Sequence, residues 1–359
     1  MEKLSLLSHT QRSYSEALFS LCGKGKQHAE RLYAELFQSG HLKPSLEWVE
    51  PQAQALVGRF LELTELALPE ISSLQENRGV SKFLLRLTDG LETESVLIPM
   101  ESGTTLCISS QVGCKMGCAF CETGKMGLIR SLQAEEIVSQ VFTALFRLNC
   151  RVRNIVFMGM GEPFDNYDAV MRAIEILTDP AGFKMGPSRI TISTSGRVDG
   201  IERMTREAHP ALNLAVSVNA PSDAIRRKIM PVNHRWDLGA LKEAMIRYSQ
   251  HRRREILIEY VLLKGINDSL EAAELLARYL EGLRVKVNLI PYNAQRTDRF
   301  APPDPAQREA FLQALRAHGY TTLLRATKGD DLMAACGQLG NVDVRRNKVI
   351  NKFIPAKNV

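Results

Sequence analysis

The chain has 359 residues, of which 45% are hydrophobic and 24% charged, so it can bury a large core and is not a disordered, collagen-like or small disulfide-stapled protein. Its 46 Lys and Arg against 40 Asp and Glu give a formal charge of +6, which permits an anionic partner without requiring one. The first residues lack the apolar stretch of a signal peptide, and no later run has the length of a membrane span. Seven cysteines, three of them in one octapeptide, indicate metal or redox chemistry in a cytoplasmic protein rather than a secreted disulfide framework.

The N-terminal part of the chain shows helical periodicity. Apolar residues recur at helical spacing from residue 10 to about 75, which predicts a small helical accessory domain over residues 1–80. Residues 81–103 are predicted to form a β-hairpin connector, because Asp89-Gly90 separates two strand-like runs.

From about residue 104, short β-branched runs alternate with longer helix-like stretches. Several of these runs are apolar throughout, as strands covered on both faces should be. The repeated alternation predicts parallel crossovers, hence an α/β fold built on a barrel or part of one, with a doubly wound open sheet as the alternative. In either fold the loops at the carboxyl ends of the strands should carry the site. The predicted strands are 105–110, 154–158, 189–193, 213–217, 256–263, 285–290 and 321–325.

Three basic runs could together follow a phosphate backbone. They are residues 226–228, residues 251–254, and the tail after Asp343, which contains Arg and Lys but no acid. The alternative for each run is a solvated helix face or helix end.

The strongest motif is a C-x-x-x-C-x-x-C run formed by Cys114, Cys118 and Cys121, directly after the first predicted barrel strand. Three thiolates can hold three irons of a cubane cluster and leave the fourth iron open, unlike the four-cysteine pattern of ferredoxins. Zinc normally requires a fourth protein ligand, and no His lies within ten residues of the run. Three ordinary buried cysteines are the alternative.

A second motif, Gly159-x-Gly161-Glu162-Pro163, follows the next predicted strand. Its glycines let the backbone approach a ligand, and Glu162 offers a carboxylate to an ammonium group. A plain tight turn would also explain these residues.

With these motifs the chain resembles the radical S-adenosylmethionine (SAM) enzymes, and more narrowly the RlmN/Cfr family of radical rRNA methyltransferases. The resemblance covers roughly residues 80–345 and rests on the segments 105–114, 157–163, 192–196, 288–293 and 329–339. It implies a partial (β/α)6 TIM-like barrel over 104–335, followed by a catalytic-cysteine loop and basic tail at 336–359. It also implies a [4Fe-4S] cluster on the three cysteines and a SAM molecule lined by Gly161, Glu162, Ser193, Ser217, Val218, Asn219 and Asn293.

The resemblance assigns catalytic roles to three residues outside the cluster run, Cys336, Cys107 and Glu94. It implies that one SAM methylates Cys336 and that the cluster reduces a second SAM to give a deoxyadenosyl radical, which takes a hydrogen atom from that methyl group. The resulting methylene radical would then join Cys336 to an adenine carbon, C2 in preference to C8. Attack by Cys107 would then release the product and leave a disulfide, with Glu94 as proton acceptor. The implied partners are ribosomal or transfer RNA and an electron donor such as flavodoxin or ferredoxin. The enzyme itself is expected to be a monomer that does not bind a membrane.

Two residues depart from the family pattern. Asn219 stands where the family has histidine, and Glu122 follows the last cluster cysteine where a small residue is usual. Glu122 adds negative charge near the cluster, and both changes predict a divergent branch of the family. Two rival functions stay open: a radical SAM enzyme acting on a protein or small molecule, and an RNA-binding or redox-sensing module that has lost catalysis.

Overall fold

The computed structural model describes residues 3–207, 211–252, 255–295, 299–325 and 328–340, with the side chains of 251 and 252 excluded. Three helices form the N-terminal part: α1 (Gln11–Cys22), α2 (Lys26–Ser39) and α3 (Gln54–Leu63). A short parallel pair, Leu4–Ser5 with Thr64–Glu65, closes this part of the chain. The ring of Phe37 in α2 lies 4.8 Å from that of Phe183, so the helices share a core with the rest of the protein.

Within the described residues, the main sheet has ten strands, and their order across the sheet follows their order along the chain. The first four are antiparallel neighbours, and the fourth to the tenth run parallel. The strands are β1 (Glu70–Asn77), β2 (Val80–Arg86), β3 (Glu92–Ile98), β4 (Thr104–Cys107), β5 (Val152–Phe157), β6 (Ile190–Thr194), β7 (Asn213–Ser217), β8 (Ile256–Leu262), β9 (Val285–Pro291) and β10 (Thr321–Leu324).

All seven strands predicted for the barrel are present as β4 to β10. A doubly wound sheet reverses its strand order at a switch point, and this sheet does not reverse, which excludes the alternative. Side chains from β4, β5, β8, β9 and β10 line one cavity. In a flat sheet β4 and β10 would lie about 29 Å apart, at roughly 4.8 Å per strand. The parallel strands must therefore curve into a partial barrel, as predicted.

Helices fill the connections between the parallel strands and cover the sheet. They are α4 (Glu122–Met126), α5 (Ala134–Phe142), α6 (Tyr167–Thr178), α7 (Val198–Arg206), α8 (Asp223–Ile229), α9 (Leu238–Arg252), α10 (Leu270–Leu280) and α11 (Pro305–Ala317). In the part of the chain that the structure describes, no helix combines the length and apolar character needed to cross a bilayer.

The predicted hairpin is confirmed, since β2 and β3 pair antiparallel and Gly90 forms the turn between them. The prediction of helix up to about residue 75 is wrong beyond Leu63, because residues 70–77 form β1. β1 is a polar strand at the edge of the sheet, so it lacks the apolar alternation by which a strand is detected in a sequence. Arg78 and Gly79, both with positive φ, form the two-residue turn into β2.

Candidate active site

The cluster loop, defined as residues 113–127, follows β4 and contains the three cysteines of the predicted cluster. Backbone contacts close it, because the Cys114 N–H donates to the Gly127 carbonyl oxygen at 3.1 Å. Gly113 has φ +77°, and a Cβ at this position would lie 2.0 Å from the same oxygen, so only glycine fits. The conformation of the loop therefore depends on backbone geometry at its first residue.

The three thiols of the cluster loop face one buried region. Burial raises the pKa of Cys118 to about 12 and also raises the pKa values of Cys114 and Cys121. Interaction with Cys118 and Cys121 raises the pKa of Cys114 further, so the side chains are close enough to interact. Any metal that binds here must displace their protons.

This donor set fits a cluster. Among the described residues, no three His, Cys, Asp or Glu side chains converge as the ligands of a single ion would. A cubane makes no such demand, because each thiolate binds a different iron. Cys114, Cys118 and Cys121 would thus hold three irons, and the fourth would stay open for SAM.

Glu122, one of the two departures from the family pattern, is buried beside the cluster thiols. Its Oε1 lies 3.6 Å from Nζ of Lys125, one turn along α4. The negative charge expected near the cluster is therefore present but is partly offset by this ammonium group. Its influence on Cys121 is to raise the pKa of that thiol, as a minor contribution beside burial.

Glu162, the predicted partner of the SAM amino group, is fixed by Ser195 at the end of β6. One of its carboxylate oxygens accepts hydrogen bonds from the Ser195 backbone N–H at 2.7 Å and hydroxyl at 2.8 Å. Gly161 has φ +102°, and a Cβ there would meet Gln111 at 2.6 Å, which explains the glycine. The Glu162 carboxylate is also close enough to Cys114 to raise the pKa of that thiol. The predicted amino-group site and the cluster loop are therefore adjacent.

The other predicted SAM-lining residues lie at neighbouring strand ends. Ser193 is in β6, and Ser217, Val218 and Asn219 lie at the end of β7. Asn219 is buried with φ +57°, and its side-chain oxygen accepts a hydrogen bond from the Val261 N–H of β8 at 2.8 Å. Asparagine at this position therefore links β7 to β8, a structural role that sequence reasoning did not provide.

Arg226 belongs to a basic run predicted to contact phosphate, and for this residue the prediction is wrong because its side chain is fully buried. Its guanidinium donates to the backbone oxygens of Ser195 (2.7 Å), Ser217 (3.1 Å) and Val218 (3.0 Å). Arg226 thus braces the strand ends that the resemblance assigns to SAM. The sequence contains one sign that Arg226 is buried. Ile229 lies three residues later in α8, and positions i and i+3 share a helix face.

The rest of that run, Arg227 and Lys228, is exposed. The side chains of the run at 251–254 and the whole basic tail lie outside the described residues. Their contact with phosphate stays a prediction.

The C-terminal loop, defined as residues 333–340, carries Cys336 and lies against the cluster loop. Two of its carbonyl oxygens accept hydrogen bonds from the Glu122 backbone N–H at 2.8 Å and the Thr123 hydroxyl at 2.6 Å. The side-chain amide of Asn293, after β9, donates to the Cys336 carbonyl oxygen at 3.0 Å. Asn293 therefore holds the C-terminal loop. It is also one of the residues that the resemblance assigns to SAM.

Cys107 and Cys336 line the same cavity, of about 680 Å³, inside the barrel. Burial raises the pKa of Cys107 to about 12, with a further contribution from Cys336. Both are free thiols. Met158, which by itself would be read as a core residue, also lines this cavity. The structure thus brings together the two cysteines that the resemblance assigns to catalysis.

Glu94, the predicted proton acceptor, is buried in β3 and paired with Lys82 of β2, with 2.7 Å between Nζ and Oε2. The other Glu94 oxygen accepts from the Gly340 N–H at 3.0 Å, and Lys82 donates to the Met333 carbonyl at 3.0 Å. The pair therefore holds both ends of the C-terminal loop. Sequence reasoning missed Lys82, because a lysine in a hairpin strand normally faces solvent.

Comparisons with known proteins support the fold described above. Residues 108–277 match the family model of the radical SAM superfamily. The crystal structure of a radical SAM methyltransferase from Sphaerobacter thermophilus has a TM-score of 0.84 and 38% identity, covering 93% of this chain and 98% of that one. Fold and cluster loop together define a radical SAM enzyme.

Similarity to curated relatives identifies the family within the radical SAM enzymes. The chain is 52% identical over 345 residues, 96% of each sequence, to the probable dual-specificity RNA methyltransferase RlmN 1 of Protochlamydia amoebophila. It is 42% identical over 338 residues to the dual-specificity RNA methyltransferase RlmN of Geobacter sulfurreducens, covering 93% of this chain and 92% of the relative. The chain belongs to the RlmN/Cfr family of radical SAM RNA methyltransferases, and this membership implies a [4Fe-4S] cluster and SAM.

Proposed function

We propose that this enzyme methylates an adenine carbon, C2 in preference to C8, in ribosomal or transfer RNA, with Cys336 as methyl carrier and Cys107 as the resolving thiol. The observation that carries the proposal is the cavity shared by these two cysteines beside the cluster loop. The names of the relatives support RNA as the substrate.

When bound, the cluster and SAM would supply methyl transfer and one-electron chemistry, with two SAM molecules consumed per turnover. The chain must supply a carrier for the methyl group, because an electron-poor adenine carbon is not a nucleophile. A Cys336 thiolate can accept a methyl group by simple displacement.

Release of the product requires Cys107 and a base. The adduct with a methylene bridge between Cys336 sulfur and the adenine carbon is a radical. The base removes the proton from that carbon, and one electron must also leave, which the oxidised cluster would accept, so that the bridged product is closed-shell. The Cys107 thiolate then attacks the Cys336 sulfur, forms the disulfide and breaks the sulfur–methylene bond, whose electron pair goes to the methylene carbon and is protonated there. Glu94 is the base we assign, and an external reductant must return two electrons to the disulfide.

The test is to trap the bridged intermediate with the Cys107→Ala variant. Expressed in its host and purified under denaturing conditions, this variant should carry RNA covalently attached to the Cys336 peptide, because the resolving thiol is missing. Sequencing the attached RNA would identify the substrate and the nucleotide together. Cys22→Ala, which removes a free cysteine at the end of α1, is the matched control and should carry none.

Two results would contradict the proposal. One is a Cys107→Ala protein with a full cluster and no attached RNA. The other is a Cys336→Ala protein that retains full activity, as a radical enzyme acting on a protein or small molecule without a methyl carrier would.

A further inference from the structure

The barrel cavity contains polar side chains to which the proposed reaction assigns no role. Most of its wall is apolar, with contributions from Val156, Met158, Leu257, Ile290 and Leu324. Three polar side chains of this wall come from adjacent strands, Glu259 of β8, Asn288 of β9 and Arg325 directly after β10. The other polar residues of the lining are Glu101, Thr105, Thr191, Asn293 and Lys328. Glu259 and Asn288 are direct neighbours across the two strands.

Glu259 is 4% exposed, and only one of its two carboxylate oxygens is satisfied. Asn288 donates to Oε1 at 2.9 Å, whereas Oε2 is buried without a hydrogen-bond partner. A buried polar atom without a partner is costly, and folded proteins keep one chiefly where a ligand or water completes it. Burial also raises the pKa of this carboxyl group.

Arg325 provides the complementary group. Within the described residues, its guanidinium has no hydrogen bond, yet it lies close enough to Glu259, Cys107 and Cys336 for their charges to raise its pKa. A ligand in the cavity could therefore bind Arg325 through a hydrogen-bond acceptor and Glu259 through a hydrogen-bond donor.

An apolar slot with an acceptor and a donor at its polar end suits a flat heteroaromatic ring with an exocyclic amino group beside a ring nitrogen. Adenine offers this edge, with N6 as donor and N1 or N7 as acceptor. Guanine would place its O6 against the carboxylate of Glu259 and would be rejected. Of the residues assigned to SAM, Asn293 alone lines this cavity, so the slot extends beyond the SAM site.

We propose that Glu259, Asn288 and Arg325 form the subsite that holds the substrate adenine by its amino edge, inside the cavity that contains Cys107 and Cys336. The inference rests on the proposed function, since it specifies how the base in that reaction is recognised. The adenine of SAM has the same amino edge and could occupy the subsite instead. The test must therefore distinguish the adenine of the RNA from the adenine of SAM.

The test measures binding of RNA probes to the reconstituted full chain by fluorescence anisotropy. The probes are a short oligouridylate with one central adenosine and the same oligonucleotide with purine riboside, which lacks the amino group. We expect the wild type to prefer the adenosine probe by about tenfold, within the range for a lost base-edge contact, and Glu259→Gln to lose the preference. Glu281→Gln, at an exposed position, is the matched control and should retain it.

Equal binding of the two probes by the wild type, or an unchanged preference in Glu259→Gln, would overturn the subsite. If Glu259→Gln binds SAM more weakly but keeps its preference for the adenosine probe, Glu259 contacts the adenine of SAM instead. That result would also overturn the proposed subsite. Trapping separates this failure from that of the proposed function. If Cys107→Ala traps RNA and Cys107→Ala/Glu259→Gln traps as much, only the subsite fails, whereas no trapping with Glu259 intact refutes the reaction itself.

Discussion

The cluster loop and the C-terminal loop touch each other and both carry cysteines to which we assign functions, but the ends of the two loops are held in different ways. The ends of the cluster loop are joined by its own backbone, through Gly113 and Gly127, although Ala119 and Phe120 in its middle also bond to Ile229 and Gln295. The C-terminal loop is held by side chains from distant parts of the chain, among them Lys82, Glu94 and Asn293. A closure made by a loop's own backbone is encoded in a few residues of that loop, whereas a closure made by distant side chains depends on the whole fold.

The largest expected effect is that of Gly113→Ala on the cluster loop. The new Cβ would lie 2.0 Å from the Gly127 oxygen at a φ of +77°, so the loop must open and the cysteines must move apart. We expect reconstituted protein to lose most of its iron and its visible cluster absorbance. Gly58→Ala, inside α3 with open space around it, is the control and should keep full iron while gaining up to about 1 kcal/mol of stability. A Gly113→Ala protein with full iron would show that backbone closure does not hold this loop.

The next effect is that of Lys82→Met on the C-terminal loop. It leaves the buried Glu94 carboxylate without its cation and the Met333 carbonyl without its donor. We expect a loss of about 3–5 kcal/mol in the free energy of unfolding, measured by denaturant titration of the reconstituted chain. Iron content should fall far less than in Gly113→Ala.

A double variant separates the ion pair from simple packing. Lys82→Met/Glu94→Gln removes the lone charge, so it should recover part of the loss seen in the single variant. Lys264→Met, which breaks an exposed pair with Asp304, is the control and should cost less than about 1 kcal/mol. A Lys82→Met loss as small as this control would contradict the account of how the loop is held.

The same difference decides what could be predicted from the sequence. The seven parallel strands could be predicted because short β-branched runs alternate with longer helix-like stretches, and the cluster loop because its three cysteines lie within eight consecutive residues. β1 was missed because an edge strand has few buried side chains. Lys82, Glu259 and Arg325 were missed because a charged residue in a sequence predicts a solvated position, and only the fold shows that each is turned inward. The resemblance named Cys107 and Cys336, but their common cavity follows from the curvature of the sheet.

The last effect is absent near neutral pH, develops only at alkaline pH and concerns Cys107, which faces the C-terminal loop. Its pKa is raised from 9.0 to about 12, chiefly by burial. Between these values the thiol ionises in the unfolded chain while the folded chain keeps it protonated, so rising pH favours unfolding. Relative to Cys107→Ser, the metal-free wild type should keep a constant stability difference below pH 9 and then lose about 1.4 kcal/mol per pH unit.

Measuring unfolding free energies of both proteins across this pH range checks the slope. The same comparison in a Cys336→Ser background tests the cause, because burial dominates and the slope should persist there. A slope that vanishes without Cys336 would mean that the neighbouring thiol, not burial, sets the pKa of Cys107. The two cysteines would then be coupled before any substrate binds, and the C-terminal loop would control the thiol to which we assign product release.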